Sequence, residues 1–452
     1  MRSIGGTRDM SEGSIIKQML LFALPLMVGN VFQMLYNTVD SVVVGQYVGK
    51  EALAAVNSTT MIVNILVFFF NGFSVGAGVV IARHFGARNH ERLHTAVETA
   101  MAMTFIFGLV FTVIGILSVK PMLRLMSTPD DVIDDAATYL TIYFVGIAGL
   151  LVYNMGSGVL RAVGDTTRPL MFLVLTSVIN ILLDLLFVLA FRAGIAGVAW
   201  ATIIAQFISA ALTLRLLTGT REIYRLTWKD LRLDGGVLRA IFKVGLPAGV
   251  QAVITAFSNV FVQSYINYFG SSCMAGWGCY NKLDQFIMLP MSSMAMAATT
   301  FVSQNIGAKK EERANRGTVT AILLSLSVTG AIAAALFFFA EEAVGLFTHD
   351  RTVIKFGALF LHANVFFLLL NCVNHVLAGA LRGRGDSRGP MVIMLTAYVA
   401  IRQVYLFVVT RYIANTPFLV GFGYPVGWVT CFIIEIAYFR IRWGKKKQAD
   451  NA

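Results

Sequence analysis

A ten-residue stretch of this 452-residue chain, LRAVGDTTRP at 160–169, returns as LRGRGDSRGP at 381–390, 221 residues further on. Two shorter pairs recur at nearly the same spacing: Leu24-Pro25 with Leu246-Pro247, and Gly86-Ala87 with Gly307-Ala308. One near-constant offset across three separated motifs is the signature of an internal duplication. The sequence therefore contains two copies of one structural unit.

The composition indicates a membrane protein. Hydrophobic residues make up 57% of the chain and charged residues only 13%, whereas a soluble domain carries about a quarter charged residues. Apolar runs of roughly 20 residues, enough to cross a bilayer, recur from one end to the other. The net charge of +12 does not indicate a nucleic-acid partner, because the basic residues lie mostly in short loops between apolar segments.

Hydropathy predicts twelve transmembrane helices, and six per copy makes the two repeats parallel. The segments lie near 16–44, 53–82, 94–119, 133–157, 169–190, 195–217, 238–266, 273–303, 317–340, 352–378, 390–411 and 417–440. The predicted fold is an all-α membrane protein of three parts: an N-lobe at 1–217 with helices 1–6, a cytoplasmic linker at 218–236, and a C-lobe at 237–452 with helices 7–12 and a basic cytoplasmic tail.

The distribution of basic residues predicts the orientation. Of the 36 Lys and Arg residues, 27 lie in the termini and even-numbered loops and 7 in the opposite loops. The positive-inside rule then places both termini in the cytoplasm. We expect a multi-pass protein of a prokaryotic inner membrane, with the lipid bilayer as its surroundings and with no obligatory protein partner.

Two carboxylates lie inside the first six segments, Asp40 and Asp184. A charge at the centre of a membrane helix costs about 2.5–3.5 kcal/mol on insertion scales, so each needs a reason to be there. Asp40 completes a polar helical face with Gln33, Tyr36 and Asn37, and Asp184 shares a face with Asn180. Thr202, in segment six, lies at a similar depth. Apart from Lys17 and Arg215, which lie in the terminal turns of their segments, no basic residue is predicted inside these six segments to neutralise the acids.

Comparison of the two repeats helps to distinguish a functional role of the two acids from a purely structural one. At the 221-residue offset Asp40 corresponds to Phe261 and Asp184 to Tyr405. Polar groups that merely hold helices together by hydrogen bonds would be expected in both copies. The asymmetry favours a functional role for the acids of the first copy, although the structural alternative stays open at this stage.

The second copy carries a different polar set. Lys282, Asp284 and Arg402 join Gln33 and Asn37 of the first copy as candidate substrate-cavity residues. Glu435 lies close enough to the end of segment twelve to snorkel to the surface. The histidines of segment ten and the four cysteines have no metal-ligand spacing, and we predict that they are packing residues. Pro25 lies inside segment one, where it removes a backbone hydrogen bond and is the candidate hinge.

No nucleotide-binding loop, metalloprotease motif or nucleophile elbow is present. An enzyme is therefore not expected, and no cofactor is implied. An ion gradient or a partner is left as the source of energy for any transport.

The repeated motifs resemble those of the multidrug and toxic compound extrusion (MATE) family: Leu-Pro early in segments one and seven, Gly-Ala after segments two and eight, and Leu-Arg-x-x-Gly-Asp after segments four and ten. The resemblance covers nearly the whole chain and is greatest to the DinF branch. It implies two lobes around a central cavity and a cation site at Asp40 and Asp184, with neighbours matched here by Tyr36, Asn154, Asn180 and Thr202. Segment seven lacks the acid of the NorM branch, which argues against a second cation site.

The resemblance predicts a cation-coupled antiporter that exports small amphipathic organic cations by alternating access. H⁺ is favoured as the coupling ion, and Na⁺ bound at Asp40 and Asp184 is the alternative. A flippase for lipids or lipid-linked oligosaccharides is the alternative function, and a cavity lined by several basic side chains would favour it.

Overall fold

The computed structural model describes residues 6–126 and 128–444, apart from the side chains of Lys50, Glu51, Leu53 and Asn57. Within these ranges the secondary structure is helical and contains no strand. The helices of the first repeat are α1 (Ile15–Val43), α2 (Lys50–Gly86), α3 (His90–Leu125), α4 (Asp130–Ala162), α5 (Thr167–Leu185) and α6 (Gly194–Gly219). A 3₁₀ turn at Trp228–Asp230 follows in the connecting segment.

The helices of the second repeat are more broken. They are α7 (Gly235–Asn267), α8 (Ser271–Gly307), α9 (Glu311–Phe338), α10 (Ala340–Gly345), α11 (Arg351–Asn364), α12 (Leu368–Gly383), α13 (Arg388–Leu395), α14 (Arg402–Val408), α15 (Pro417–Gly421) and α16 (Gly423–Phe439). Five π-helical turns extend helices of the two repeats. Those of the first repeat are Val44–Val48 after α1 and Leu186–Ala190 after α5, and those of the second are Thr396–Ile401, Val409–Ile413 and Arg440–Gly444.

Eleven helical segments in the described ranges are long and apolar enough to cross a membrane, and α11 with α12 makes a twelfth if the bent pair counts as one span. The predicted all-α, multi-pass membrane fold is confirmed. The bend between α11 and α12 measures 57° and was not predicted, because no proline or glycine occurs there. Asn364 explains the bend, because its buried side-chain amide donates to the Phe360 carbonyl. The next backbone turn is of the 3₁₀ type, with the Phe367 amide donating to the Asn364 carbonyl.

The duplication extends to the backbone conformation. Left-handed residues recur 221 positions apart: Gly49 with Gly270, Arg88 with Lys309, and Gly164 with Gly385. Each pair lies at the junction between two helices, where a positive φ ends one helix and redirects the chain. The second and third pairs belong to the repeated motifs. Those motifs are therefore conformational signals for helix ends.

The chain divides into two compact units. One comprises Leu24–Leu246 and the residues up to Met10, and the other comprises Ser11–Ala23 and the residues from Pro247 onward. Helix α1 thus passes from the second unit to the first, and α7 from the first to the second, each at its Leu-Pro pair. Just before that point Gly245 packs on Gly76 of α2, where an added Cβ would lie 2.7 Å from the Gly245 nitrogen. The predicted lobe boundaries, at 217 and 236, stay a prediction.

We expect Gly164→Ala to destabilise the protein by about 1–3 kcal/mol through backbone strain, with a further loss from steric overlap. Gly164 has a φ of 85°, and its new Cβ would lie 2.4 Å from the Arg8 carbonyl oxygen. Gly194→Ala is the matched control, since Gly194 has a φ of 57° and no neighbour within 4 Å of the added atom. Thermal unfolding in detergent should rank Gly164→Ala clearly below the control; equal midpoints would show that the Arg8 contact is unimportant.

Candidate functional site

A cavity of about 460 Å³ lies inside the first unit, between α1, α2, α4, α5 and α6. Its wall contains eight of the residues singled out from the sequence: Pro25, Gln33, Tyr36, Asn37, Asp40, Asn154, Asn180 and Thr202. These residues come from four helices, and the fold brings them to one space. The cavity runs along α5 from Thr166, just before the helix, to Asn180, which is roughly 21 Å at 1.5 Å per residue.

Asp184 lies next to this wall, and its side chain is paired with that of Asp40. The residue is only 1% exposed, and its carboxyl group is within hydrogen-bonding range of the Asp40 carboxyl. No donor of the described protein serves either oxygen of Asp184 or Oδ1 of Asp40. Two ionised carboxylates can only accept, so one proton held between them would supply the hydrogen bond that both lack.

Two amide side chains extend this cluster of unsatisfied groups. Asn180 is 3% exposed, and neither its side-chain oxygen nor its nitrogen has a hydrogen-bond partner. Oε1 of Gln206, on α6, also accepts no hydrogen bond. Buried polar groups in proteins nearly always have partners, and such a concentration of acceptors in an apolar unit costs free energy. The arrangement suits a proton or a small cation.

Local helix geometry positions the two acids. Asn180 and Asp184 are four residues apart and so lie on one face of α5. The α-helical part of α1 ends three residues after Asp40 and that of α5 one residue after Asp184, and each continues as a π-helical turn. These two π-turns contact each other. π-Turns are rare and occur frequently at functional sites, and here they join the two helices that carry the acids.

Three tyrosines of α4 form an aromatic wall that was not predicted: Tyr139, Tyr143 and Tyr153 line the cavity. The rings of Tyr139 and Tyr143 stack with centroids 6.4 Å apart, and the Tyr153 hydroxyl donates to the Pro169 carbonyl at 3.1 Å. Their spacing of four and ten residues, together with Asn154, would have revealed one polar and aromatic face of segment four.

Arg161 corrects the expectation that no basic residue lies inside the first six segments. Segment four was predicted to end at 157, but α4 continues to Ala162, and Arg161 lines the same cavity. Its neighbours in the wall include Thr166 and Pro169, at the start of α5, whereas Asp184 is near the end of that helix. The cavity therefore has a basic end and an acidic end.

Comparison with known proteins shows to which family a chain with this architecture belongs. The sequence profile of the family described as MatE matches the chain twice, over residues 25–186 and 247–408. The two matches begin 222 residues apart and together cover more than half of the chain. The chain belongs to the MatE family. Members of this family are transporters, so the prediction that the chain is not an enzyme is confirmed.

Two relatives illustrate the MatE similarity. The "Probable multidrug resistance protein YoeA" of Bacillus subtilis is 28% identical over 448 residues, 98% of this chain and 97% of the relative. The "Multidrug export protein MepA" of Staphylococcus aureus is 22% identical over 408 residues, 90% of this chain and 89% of the relative.

Solved MATE structures share the fold. A MATE structure in the bent conformation superposes with a TM-score of 0.92 at 23% identity, covering 98% of both chains. An outward-facing multidrug resistance MATE transporter of the MOP superfamily gives a TM-score of 0.90 at 23% identity, covering 96% of this chain and 97% of that one.

None of the three substrate-cavity candidates in the second unit of this MatE protein lines the first-unit cavity. Arg402 is 3% exposed, and its guanidinium donates to Ser258 Oγ at 2.6 Å and to Asn259 Oδ1 at 2.9 Å. Lys282 is exposed, with its ammonium 5.3 Å from the centre of the Phe347 ring. Oδ1 of Asp284 is buried without a hydrogen bond.

Glu435 of this MatE protein contradicts the prediction made for it. The side chain does not snorkel: it is 0% exposed, and its one recorded hydrogen bond comes from the Cys431 thiol at 3.7 Å. Hydropathy predicts how far along α16 the residue lies but does not reveal which face of the helix turns inward. All four cysteines are buried and free of disulfides, as predicted.

Proposed function

We propose that this MatE protein is a multidrug efflux antiporter of the DinF-like branch. It would exchange an inward-moving cation, H⁺ rather than Na⁺, for small amphipathic organic cations. The observation that carries the proposal is the pair of carboxyls at the acidic end of the first-unit cavity, Asp40 in its wall and Asp184 beside it, with three of their four oxygens buried without donors. The names of YoeA and MepA as multidrug proteins support the choice of substrate class.

The exchange follows from competition for negative charge. With both carboxyls ionised, Asp40 presents an anionic wall beside the tyrosines of α4, and an organic cation is attracted to the carboxylates and to the aromatic faces. A proton shared by the two carboxyls removes one charge and adds the missing hydrogen bond. Because each ligand weakens the binding of the other, the two are thermodynamically coupled.

The geometry favours H⁺ over Na⁺. One proton satisfies two carboxyls that already lie within hydrogen-bonding range. A sodium ion would instead need several oxygen ligands around it at once, which Asp40, Asp184, Asn180 and Thr202 would have to supply together. The Thr202 hydroxyl already donates to the Val198 carbonyl at 3.0 Å, but its oxygen can still accept.

Helix α1 supplies the moving part in this proposal. Pro25 lies within α1 and in the cavity wall, fifteen residues before Asp40 on the same helix. A proline inside a helix leaves one carbonyl without its usual donor and permits a bend. Solved MATE structures in bent and in straight conformations both share this fold. Neutralisation of Asp40 would favour one of two such conformations.

The proposed setting is a prokaryotic inner membrane with both termini in the cytoplasm. The 27-to-7 distribution of basic residues carries this orientation. A proton would then reach the Asp40 end of the first-unit cavity from outside, since Asp40 lies in the outer half of its span.

Efflux of a fluorescent organic cation from proteoliposomes tests the proposal, with proton and sodium gradients imposed separately. We expect efflux to follow the pH gradient at constant Na⁺ and to be unaffected by a Na⁺ gradient at constant pH. Efflux driven only by Na⁺ would reject proton coupling and assign Na⁺ to the carboxyls. Efflux that responds to neither gradient would reject the antiporter.

A further inference from the structure

A second cluster of ionisable side chains lies in the first unit, outside the cavity. His94 and Glu98 are one turn apart on α3, and Asp230 ends the 3₁₀ turn of the connecting segment. One ligand atom from each residue lies within 4.8 Å of the other two. We propose that these three side chains bind a divalent transition metal of the Zn²⁺ type and so fasten the connecting segment to α3.

Glu98 gives the first reason for a ligand. Its side chain is 1% exposed and lies 2.9 Å from His94 Nδ1, but no hydrogen bond from any other residue of the described protein reaches either carboxylate oxygen. A buried carboxylate without donors is costly unless a cation neutralises it. This carboxylate is aimed at His94 and Asp230, so a cation between the three would satisfy it.

His94 gives the second reason. Its Nε2 lies 3.3 Å from Thr227 Oγ1, and its Nδ1 lies 2.9 Å from Glu98 Oε1. If Nε2 carries the hydrogen and donates to Thr227, the lone pair of Nδ1 faces a carboxylate oxygen, and a cation must separate the two. Metal-bound histidines commonly donate their second ring N–H to an oxygen in this way. Ligands bound tetrahedrally to zinc at 2.0–2.1 Å lie about 3.3 Å apart, so Nδ1 and Oε1, now 2.9 Å apart, would separate by about 0.4 Å on binding.

The connecting segment is already held in position for its ligand. The Thr99 hydroxyl donates to the Arg232 carbonyl at 3.3 Å and accepts from the Asp234 amide at 3.1 Å. On the other side of Asp230, the Trp228 ring stacks on Phe105 with centroids 5.9 Å apart. Asp230 itself is exposed, which leaves one side of the cluster open for a metal and a water ligand.

The donor set selects the class of metal. One imidazole and two carboxylates suit Zn²⁺ and neighbouring transition metals, whereas Mg²⁺ and Ca²⁺ prefer oxygen ligands alone. The guanidinium of Arg232, which donates to Thr95 Oγ1 at 3.4 Å, is the nearby basic group. Its positive charge offsets part of the charge of the two acids. We therefore expect weaker metal binding than at a zinc site that lacks such a basic neighbour.

The test uses the purified full-length protein, free of any histidine tag and stripped by chelator dialysis. We expect one Zn²⁺ per chain by titration calorimetry and elemental analysis, a Zn²⁺-dependent rise in the thermal midpoint, and visible absorption of tetrahedral Co²⁺. His94→Gln and Asp230→Asn should each weaken binding by about tenfold or more. His90→Gln and Glu91→Gln, which remove exposed groups of the same types nearby, should bind as the parent does.

The alternative arrangement is a metal-free ion pair, with a proton on Nδ1 of His94 donated to Glu98. A failure to observe saturable Zn²⁺ binding would contradict the metal site and support this ion pair. Zn²⁺ binding that persists in both His94→Gln and Asp230→Asn would contradict it equally. Because the variants alter partly or fully exposed groups, they are expected to fold, and the unfolding midpoints without metal verify that. The result is independent of the transport assay.

Discussion

Replacement of Asp40 by Asn is expected to abolish gradient-driven efflux while substrate binding remains measurable. Asparagine has nearly the same shape as the protonated acid but cannot take up or release a proton, so Asp184 loses the carboxyl with which it would share one. Asp184→Asn should have the same effect, because the two carboxyls would share one proton. A coupling free energy of this kind corresponds to about a 10- to 100-fold effect of the proton on substrate affinity, and this pH dependence of binding should be lost in both variants.

Two controls make this prediction specific. Phe261→Asn changes the repeat counterpart of Asp40, a side chain that is 60% exposed in the second unit, and should leave coupling intact. Asp134→Asn removes an exposed acid near the start of α4 and should also be neutral. Efflux and fluorescence-detected binding are measured on the same preparation. Equal loss of coupling in Asp40→Asn and Phe261→Asn would show that the coupling site is not in the first unit.

Pro25→Ala is expected to decrease turnover much more than substrate affinity. Alanine restores the backbone donor and removes the ring clash, which favours a straight α1 by about 3 kcal/mol. If α1 must bend in each cycle, a bias of that size lowers turnover by about one to two orders of magnitude. The cavity wall loses only a few apolar atoms, so affinity should change little.

Pro121→Ala provides the matched control, since Pro121 also lies inside a helix, α3, but outside the cavity wall. Stopped-flow efflux and equilibrium binding, run in parallel, separate the two effects. Normal efflux in Pro25→Ala would show that bending at this position is not the coupling step, and rocking of rigid halves would then be the simpler mechanism.

The duplication and the residues along the cavity could be predicted because they depend on spacing alone. Asp40, Asp184 and Asn180 were brought together by counting residues along helices of constant rise. The left-handed residues Gly164 and Gly385 lie inside a motif that was recognised by its repetition, although the motif gave no indication of its backbone conformation.

What could not be predicted depends on side-chain direction and on helix ends. Arg161 was assigned to a loop because hydropathy stops at the last apolar residue, whereas helical hydrogen bonds continue beyond it. Glu435 was assigned to the surface because its depth is known from the sequence but its face is not. The bend after Asn364 follows from one amide that bonds to its own helix, and hydropathy contains no information about that bond.

Helices α1 and α7 each pass from one unit to the other at a Leu-Pro pair. This has a consequence for biosynthesis. The first unit includes residues up to Leu246, so it cannot be completed when its sixth span, α6, leaves the ribosome at Gly219. At ~5–20 residues per second, the missing piece follows about 1–5 s later. Ser11–Ala23 is made first but belongs with residues from Pro247 onward, so it waits through nearly half of translation. A chain terminated after the first repeat would therefore leave both units incomplete, and its opening segment would lack the residues with which it packs.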